Sequence, residues 1–171
     1  MNLILRPSSP SVPSEKPYHH HHHRTRSTTH KLSSSSTTTS SEDIHAILSV
    51  TNTFLNALHN KSRADFEKCC FPAGWMSLCG PALVPLRFIS LNSYIKCITS
   101  LKDDLEERIW DPDVRVSESG NLAMVWAPFQ AKINGHLDHV GVNLFVMHKI
   151  DGRWKISGLA DSWWRPTAEM G

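Results

Sequence analysis

Three glycine-containing dipeptides, Ser119-Gly120, Asn134-Gly135 and Asp151-Gly152, punctuate the last third of the chain. They limit the fold more than any other feature. Asn-Gly and Asp-Gly readily take the left-handed backbone that a two-residue hairpin turn requires, because only that turn matches the twist of its strands. The segments around them, 107–117, 121–133, 137–149 and 153–164, alternate apolar and other residues with a period of two, which is the signature of half-buried strands. The expectation is an antiparallel meander of four strands joined by three tight turns.

Tight turns also set register, and register decides which side chains share a face. With Asn134-Gly135 as one turn, Gln130 falls opposite His139 and Trp126 opposite Asn143. With Asp151-Gly152 as the next, Asn143 falls opposite Ala160 and His139 opposite Trp164. One face then collects Met124, Trp126, Gln130, His139, Gly141, Asn143, Phe145, Met147 and Trp164, and the other collects Ala123, Val125, Ala127, Phe129, Val140, Val142, Leu144 and Val146. The second face suits dry packing. The first combines aromatic walls with an imidazole and two carboxamides, the composition of a ligand pocket. An unpartnered buried polar group costs about 1–3 kcal/mol, so Gln130, His139 and Asn143 must pair with each other, with water or with a ligand. Asp161 falls on the aliphatic face by strict alternation. A β-bulge, for example at Gly158, would turn it toward His139 and make an acid–base pair.

Ahead of the strands the period changes. Ile44, Ile47, Leu48, Thr51, Phe54, Leu55 and Leu58 follow helical spacing behind Ser40 and Ser41, with Glu42 and Asp43 at the positive end of the helix dipole. Ser62 and Asp65 begin a second, short helix that Pro72 ends. "GWMSLCGPALVPLRF" reads as a short strand plus an irregular loop, with Trp75 and Met76 as apolar candidates for a pocket mouth. "SLNSYIKCITSLKDDL" is a third amphipathic helix carrying Leu91, Ile95, Ile98 and Leu101 on one stripe.

Residues 1–41 differ in kind. They are rich in Ser, Thr and Pro, with the run His19 to His23 and almost no aliphatic residues after Leu5. Such a segment buries too little apolar surface to offset its ordering entropy, so the folded domain is expected over 42–166, with a short tail over 167–171. The histidine run is a low-complexity tract rather than a metal site of defined geometry. Arg6, Lys16, Arg24, Arg26 and Lys31 against the single acid Glu15 give the tail the composition of an organellar transit peptide. That is the alternative to the main expectation of a reduced cytoplasmic protein, which rests on four cysteines (Cys69, Cys70, Cys79, Cys97) without metal spacing or a secretory signal. A net charge of +2, without Lys/Arg clustering in the folded part, argues against a nucleic-acid partner. No apolar run reaches the roughly 18 residues a membrane helix needs.

Three helices followed by a strongly paired meander resemble the nuclear-transport-factor-2-like (SnoaL-like) superfamily. Ile109–Val114 ("IWDPDV"), Leu122–Phe129 ("LAMVWAPF"), His139–Phe145 ("HVGVNLF") and Asp151–Asp161 ("DGRWKISGLAD") are similar to the lumazine-binding-type subgroup, over about residues 42 to 165. The resemblance implies an α+β, cone-shaped fold with three N-terminal helices packed on a curved antiparallel sheet. It implies a pocket for a small hydrophobic ligand, often in a homodimer. Superfamily members that are cyclases, isomerases or dehydratases use Asp, His or Tyr inside the cone without metal or cofactor; other members only bind ligands or partners. The residues that could carry such chemistry are His139 with Asp161 or Asp113, while Trp126, Gln130, Asn143, Phe145, Trp164, Trp75 and Met76 would line the site. The first helix carries Thr51, Asn52 and Asn56 where the enzymes have a Tyr and Asp pair. Two functions stand open: a cofactor-free enzyme, or a non-catalytic ligand-binding or dimerisation domain.

Overall fold

The computed structural model describes residues 41–81 and 85–166. The tail expected over 1–41, with its His19–His23 run, lies outside the described residues apart from Ser41, and so does 167–171. Helices α1 (Ser41–Asn60) and α2 (Arg63–Cys69) come first, followed by strands β1 (Cys70–Cys79) and β2 (Arg87–Ser90). Helix α3 (Leu91–Thr99) precedes β3 (Leu105–Ile109), β4 (Asp113–Val116), β5 (Leu122–Ile133), β6 (His136–Ile150) and β7 (Arg153–Trp164). The architecture is α+β, three helices against one curved, open sheet in the order β2-β1-β7-β6-β5-β3, with β4 also paired to β5.

Serine side chains start the two shorter helices: Ser62 Oγ accepts from the Asp65 N–H and Ser90 Oγ from the Ser93 N–H. Asp43, in the first turn of α1, accepts from Lys149 Nζ at 2.7 Å and Trp154 Nε1 at 2.8 Å, which ties the helix to the last hairpin. The core is continuous between layers. Phe54 of α1 meets Phe66 of α2 and Phe145 of β6 edge-on and stacks on Tyr94 of α3. We call the sheet face that carries Phe145 the inner face.

The sequence expectation of a wholly antiparallel sheet needs correction. β1 runs parallel to β7, with Met76 beside Leu159 and Leu78 beside Asp161, so the sheet is mixed. The single strand expected over 107–117 is two, β3 and β4, separated around Pro112. The interruption lies alongside Pro128 of β5. The Pro128 carbonyl accepts from Trp110 N–H toward that side, so its missing N–H also falls there, where no regular edge strand asks for a donor. Asn134-Gly135 and Asp151-Gly152 are two-residue turns with positive φ at all four residues. The third turn is wider: Ser117 N–H bonds Leu122 O around a loop in which only Gly120 has positive φ.

Two bulges decide the faces. In β6, Lys132 pairs with Leu137 but Ala131 pairs with His139, leaving Asp138 as an extra residue. In β7, Met147 pairs with Ile156 but Val146 pairs with Gly158, leaving Ser157 as the extra residue. Each slips the register by one and turns every later side chain to the opposite face of its neighbour.

Candidate functional site

The bulge at Asp138 overturns the expected grouping of Trp126 and Gln130 with His139 and Asn143. Beyond it, Asn143 stands opposite Ala127, Phe145 opposite Val125, and His139 opposite Ala131. Trp126 and Gln130 therefore belong to the outer face, where Trp126 pairs with Leu144 and Gln130 with Val140. The bulge at Ser157 does the converse for Asp161, placing it opposite Asn143 on the inner face. It also exchanges the two tryptophans. Trp163 faces inward, with its ring 4.7 Å from that of His139, whereas Trp164 pairs with Val140 on the outer face.

The remaining expected residues divide. Phe145 and Met76 are buried in the hydrophobic core. Trp75 is half-exposed on the outer face, its indole lying where a Cβ on Gly158 would stand. Asp113 also lies outside, bonded by Arg115 Nε at 3.0 Å and opposite Trp126, away from His139.

Two residues that the sequence reading did not single out complete the inner face. Glu107 of β3 stands opposite Ala131, and its Oε1 accepts a hydrogen bond from Asn143 Nδ2 at 2.7 Å. The contact crosses β5 diagonally, from Asn143 beside Ala127 to Glu107 beside Ala131, with Phe129 on the same face between those two alanines. Tyr94 of α3 closes over the same region. Strand alternation held the signal for Glu107, since Leu105, Glu107 and Ile109 share a face. Helical spacing held it for Tyr94, three residues after Leu91 on the apolar stripe.

The electrostatics follow from this enclosure. Burial, and then the neighbouring Asp161 charge, push the Glu107 carboxyl up to about 7 against the opposing pull of the Asn143 amide. Burial likewise raises Asp161, opposed by the Cys79 N–H that its Oδ1 accepts at 3.0 Å and by the charges of His139 and Arg87. The Tyr94 hydroxyl is held protonated by burial and by the two carboxyls. Glu107, Asp161 and Tyr94 nonetheless keep some accessible surface. His139, at the β6 end of the same face, packs against Phe129 and Trp163 and bonds Asp138 through Nδ1 at 2.9 Å.

The set comprises two carboxyls, a phenol, an imidazole and a carboxamide, a proton-transfer inventory. Among the described residues no three His, Cys, Asp or Glu side chains converge as a metal site would require. No described helix is long and apolar enough to cross a membrane.

No protein-family model matches the chain, and no curated protein matches it in sequence. Solved structures match it in fold. A nuclear transport factor 2-like superfamily protein from Salmonella enterica serovar Typhimurium is 16% identical with a TM-score of 0.59, covering 77% of this chain and 98% of its own. A nuclear transport factor 2-like protein from Cytophaga hutchinsonii is 19% identical at 0.58, covering 72% and 98%. One of unknown function from Shewanella baltica is 13% identical at 0.57, covering 76% and 99%. At these identities the likeness shows the fold: the domain has the nuclear transport factor 2-like α+β architecture.

Proposed function

We propose that this domain binds a small hydrophobic molecule between the inner face of its sheet and helices α1 and α3, and moves a proton on it without a cofactor. The observation that carries this reading is Glu107, a carboxyl inside the fold with an amide as its hydrogen-bond donor and a second carboxyl close by. A group with a pKa near 7 is divided between its acid and base forms at neutral pH, the condition under which proton transfer in both directions is efficient. Glu107 takes a proton from carbon beside a carbonyl or returns it. The protonated Tyr94 hydroxyl is a donor for the oxygen on which negative charge develops. Asp161 and His139 serve as the second acid–base groups. Phe129 and Trp163 supply apolar walls, in the places first expected of Trp126 and Trp164. The reaction classes that fit are cyclisation, isomerisation and dehydration.

A second reading, a non-catalytic dimerisation domain, is favoured by the outer face. Trp75, Phe88, Trp126 and Trp164 are 43%, 70%, 47% and 50% exposed there, around the small Gly158 and Ala160. Charged Arg108, Asp113 and Arg115 lie toward the β3/β4 margin. An apolar centre with a charged rim is the anatomy of a protein interface. We infer a homodimer through this face, compatible with a pocket on the other.

Ligand capture from a native extract tests the pocket. Wild-type protein is expected to retain a small molecule that both His139→Ala and Glu107→Gln lose. Equal retention by both variants would sink the reading. A captured molecule that the wild type returns unchanged under all conditions favours binding without catalysis.

A further inference from the structure

The bulge that flips β5 against β6 has a second effect. Asp138, the unpaired residue, is adjacent in sequence to His139, and in a regular strand the two side chains would point to opposite faces. The bulge breaks that alternation and brings the Asp138 carboxylate to the His139 ring, with Oδ2 2.9 Å from Nδ1. Both partners are fixed from other directions. Asp138 is held by Arg165, whose Nη2 lies 3.4 Å from Oδ1. The His139 ring is confined by Phe129, edge-on at 5.6 Å, and by Trp163 at 4.7 Å. Gly141, next along this face, allows that confinement, since a Cβ there would stand 2.7 Å from Phe129 Cε1 and 2.9 Å from Trp163 Cα, and would strike the Ser162 carbonyl. Among the described residues Nε2 has no hydrogen-bond partner.

We propose that Asp138 is the positioning residue of His139: it accepts a hydrogen bond from Nδ1–H, fixes the ring's tautomer, and leaves the Nε2 lone pair as the proton acceptor of the inner face. Burial works against the charge on Asp138, but the His139 hydrogen bond and Arg165 outweigh it and hold the carboxyl below the usual aspartate range. Asp138 is thus an anion throughout the neutral range and able to take the Nδ1 hydrogen bond continuously. A carboxylate behind an imidazole orients the ring and stabilises the imidazolium formed when the far nitrogen takes a proton. The strand defect is therefore the device that assembles the pair, and its position in β6 points that pair at the face carrying Asp161 and Glu107.

The role assigned to Nε2 rests on the proposed pocket, but the tautomer can be read without any ligand. The test is imidazole nitrogen NMR on the full chain in alkaline buffer, with His139 assigned through His139→Gln. Wild type is expected to show a protonated Nδ1 and a bare Nε2. Asp138→Asn, similar in shape, is expected to lose that preference, whereas Arg165→Gln is expected to keep it. Diethyl pyrocarbonate modification mapped by peptide mass spectrometry should fall on His139 and form severalfold more slowly in Asp138→Asn. A protonated Nε2 in wild type, or an Asp138→Asn spectrum and adduct rate equal to wild type, would overturn the proposal. Failure of ligand capture alone would overturn the pocket and leave the pair intact.

Discussion

Glu107 gives up water on folding and receives, from the described residues, a single amide donor in return. Its carboxyl rises from 4.5 to about 7, so the folded state binds a proton that the unfolded chain has already released. Between those two values folding is linked to proton uptake, and stability falls as pH rises. The full cost, on the order of 3 kcal/mol, is reached above about pH 7 and is absent below about 4.5. Glu107→Gln, isosteric and neutral, should therefore melt higher than wild type at pH 8 and converge with it at pH 4, as thermal denaturation across pH would show. No difference at pH 8 would mean that Glu107 is solvated. Asp161, also raised by burial, contributes a slope of the same sign. A group that lowers stability in this way is characteristic of a functional site. At this scale His139, Asn143 and Asp161 could be singled out from sequence because they interrupt an apolar pattern. Glu107 sits in "LEERI" beside another glutamate and an arginine, where it looks like one charge among several on a solvated strand.

At the scale of elements, the hairpin turns were readable because Asn-Gly and Asp-Gly satisfy a local backbone demand, and both form as expected. The bulges were not, because an extra residue in a strand is stabilised by what lies across the sheet. Asp138 is accommodated through His139 and Arg165, and Ser157 bonds the Val146 carbonyl at 3.2 Å and His148 at 2.7 Å. Only Asp161 announced a bulge in advance, through the cost of a carboxylate among valines. The same limit explains the mixed sheet: nothing in "CFPAGWMSLC" says that it pairs with the last strand as well as with its neighbour β2. Gly141 tests how tightly the bulged region is packed. Gly141→Ala should lose about 1–3 kcal/mol through overpacking, measured by denaturant unfolding, with enhanced amide exchange at Gly141 and Trp163. An unchanged midpoint would show that β7 can move away freely, in which case the His139 ring is not confined.

For the whole molecule, the helices cover one sheet face and leave a row of aromatics on the other. Trp126→Glu places a charge in the centre of that row, opposite Leu144. It should convert a dimer into a monomer in sedimentation or light scattering, with far-UV circular dichroism unchanged. A monomeric wild type at tens of micromolar would remove the interface altogether. The sequence led to two differently composed faces, but it put Trp75, Trp126 and Trp164 in the pocket rather than on the exposed back, because the bulges reassign which residues of a strand reach each face.

The link from Asp43 to Lys149 and Trp154 joins residues 106 and 111 positions apart. On a ribosome adding roughly 5–20 residues per second, α1 emerges roughly 5–20 seconds before the residues that fasten its first turn. Through that interval Ile47, Phe54 and Leu58, all destined for full burial, have no sheet to cover them. The nascent chain then holds an amphipathic helix whose apolar stripe is still open to solvent. The hairpin of β6 and β7 brings Lys149 and Trp154 to Asp43 and ends that exposure.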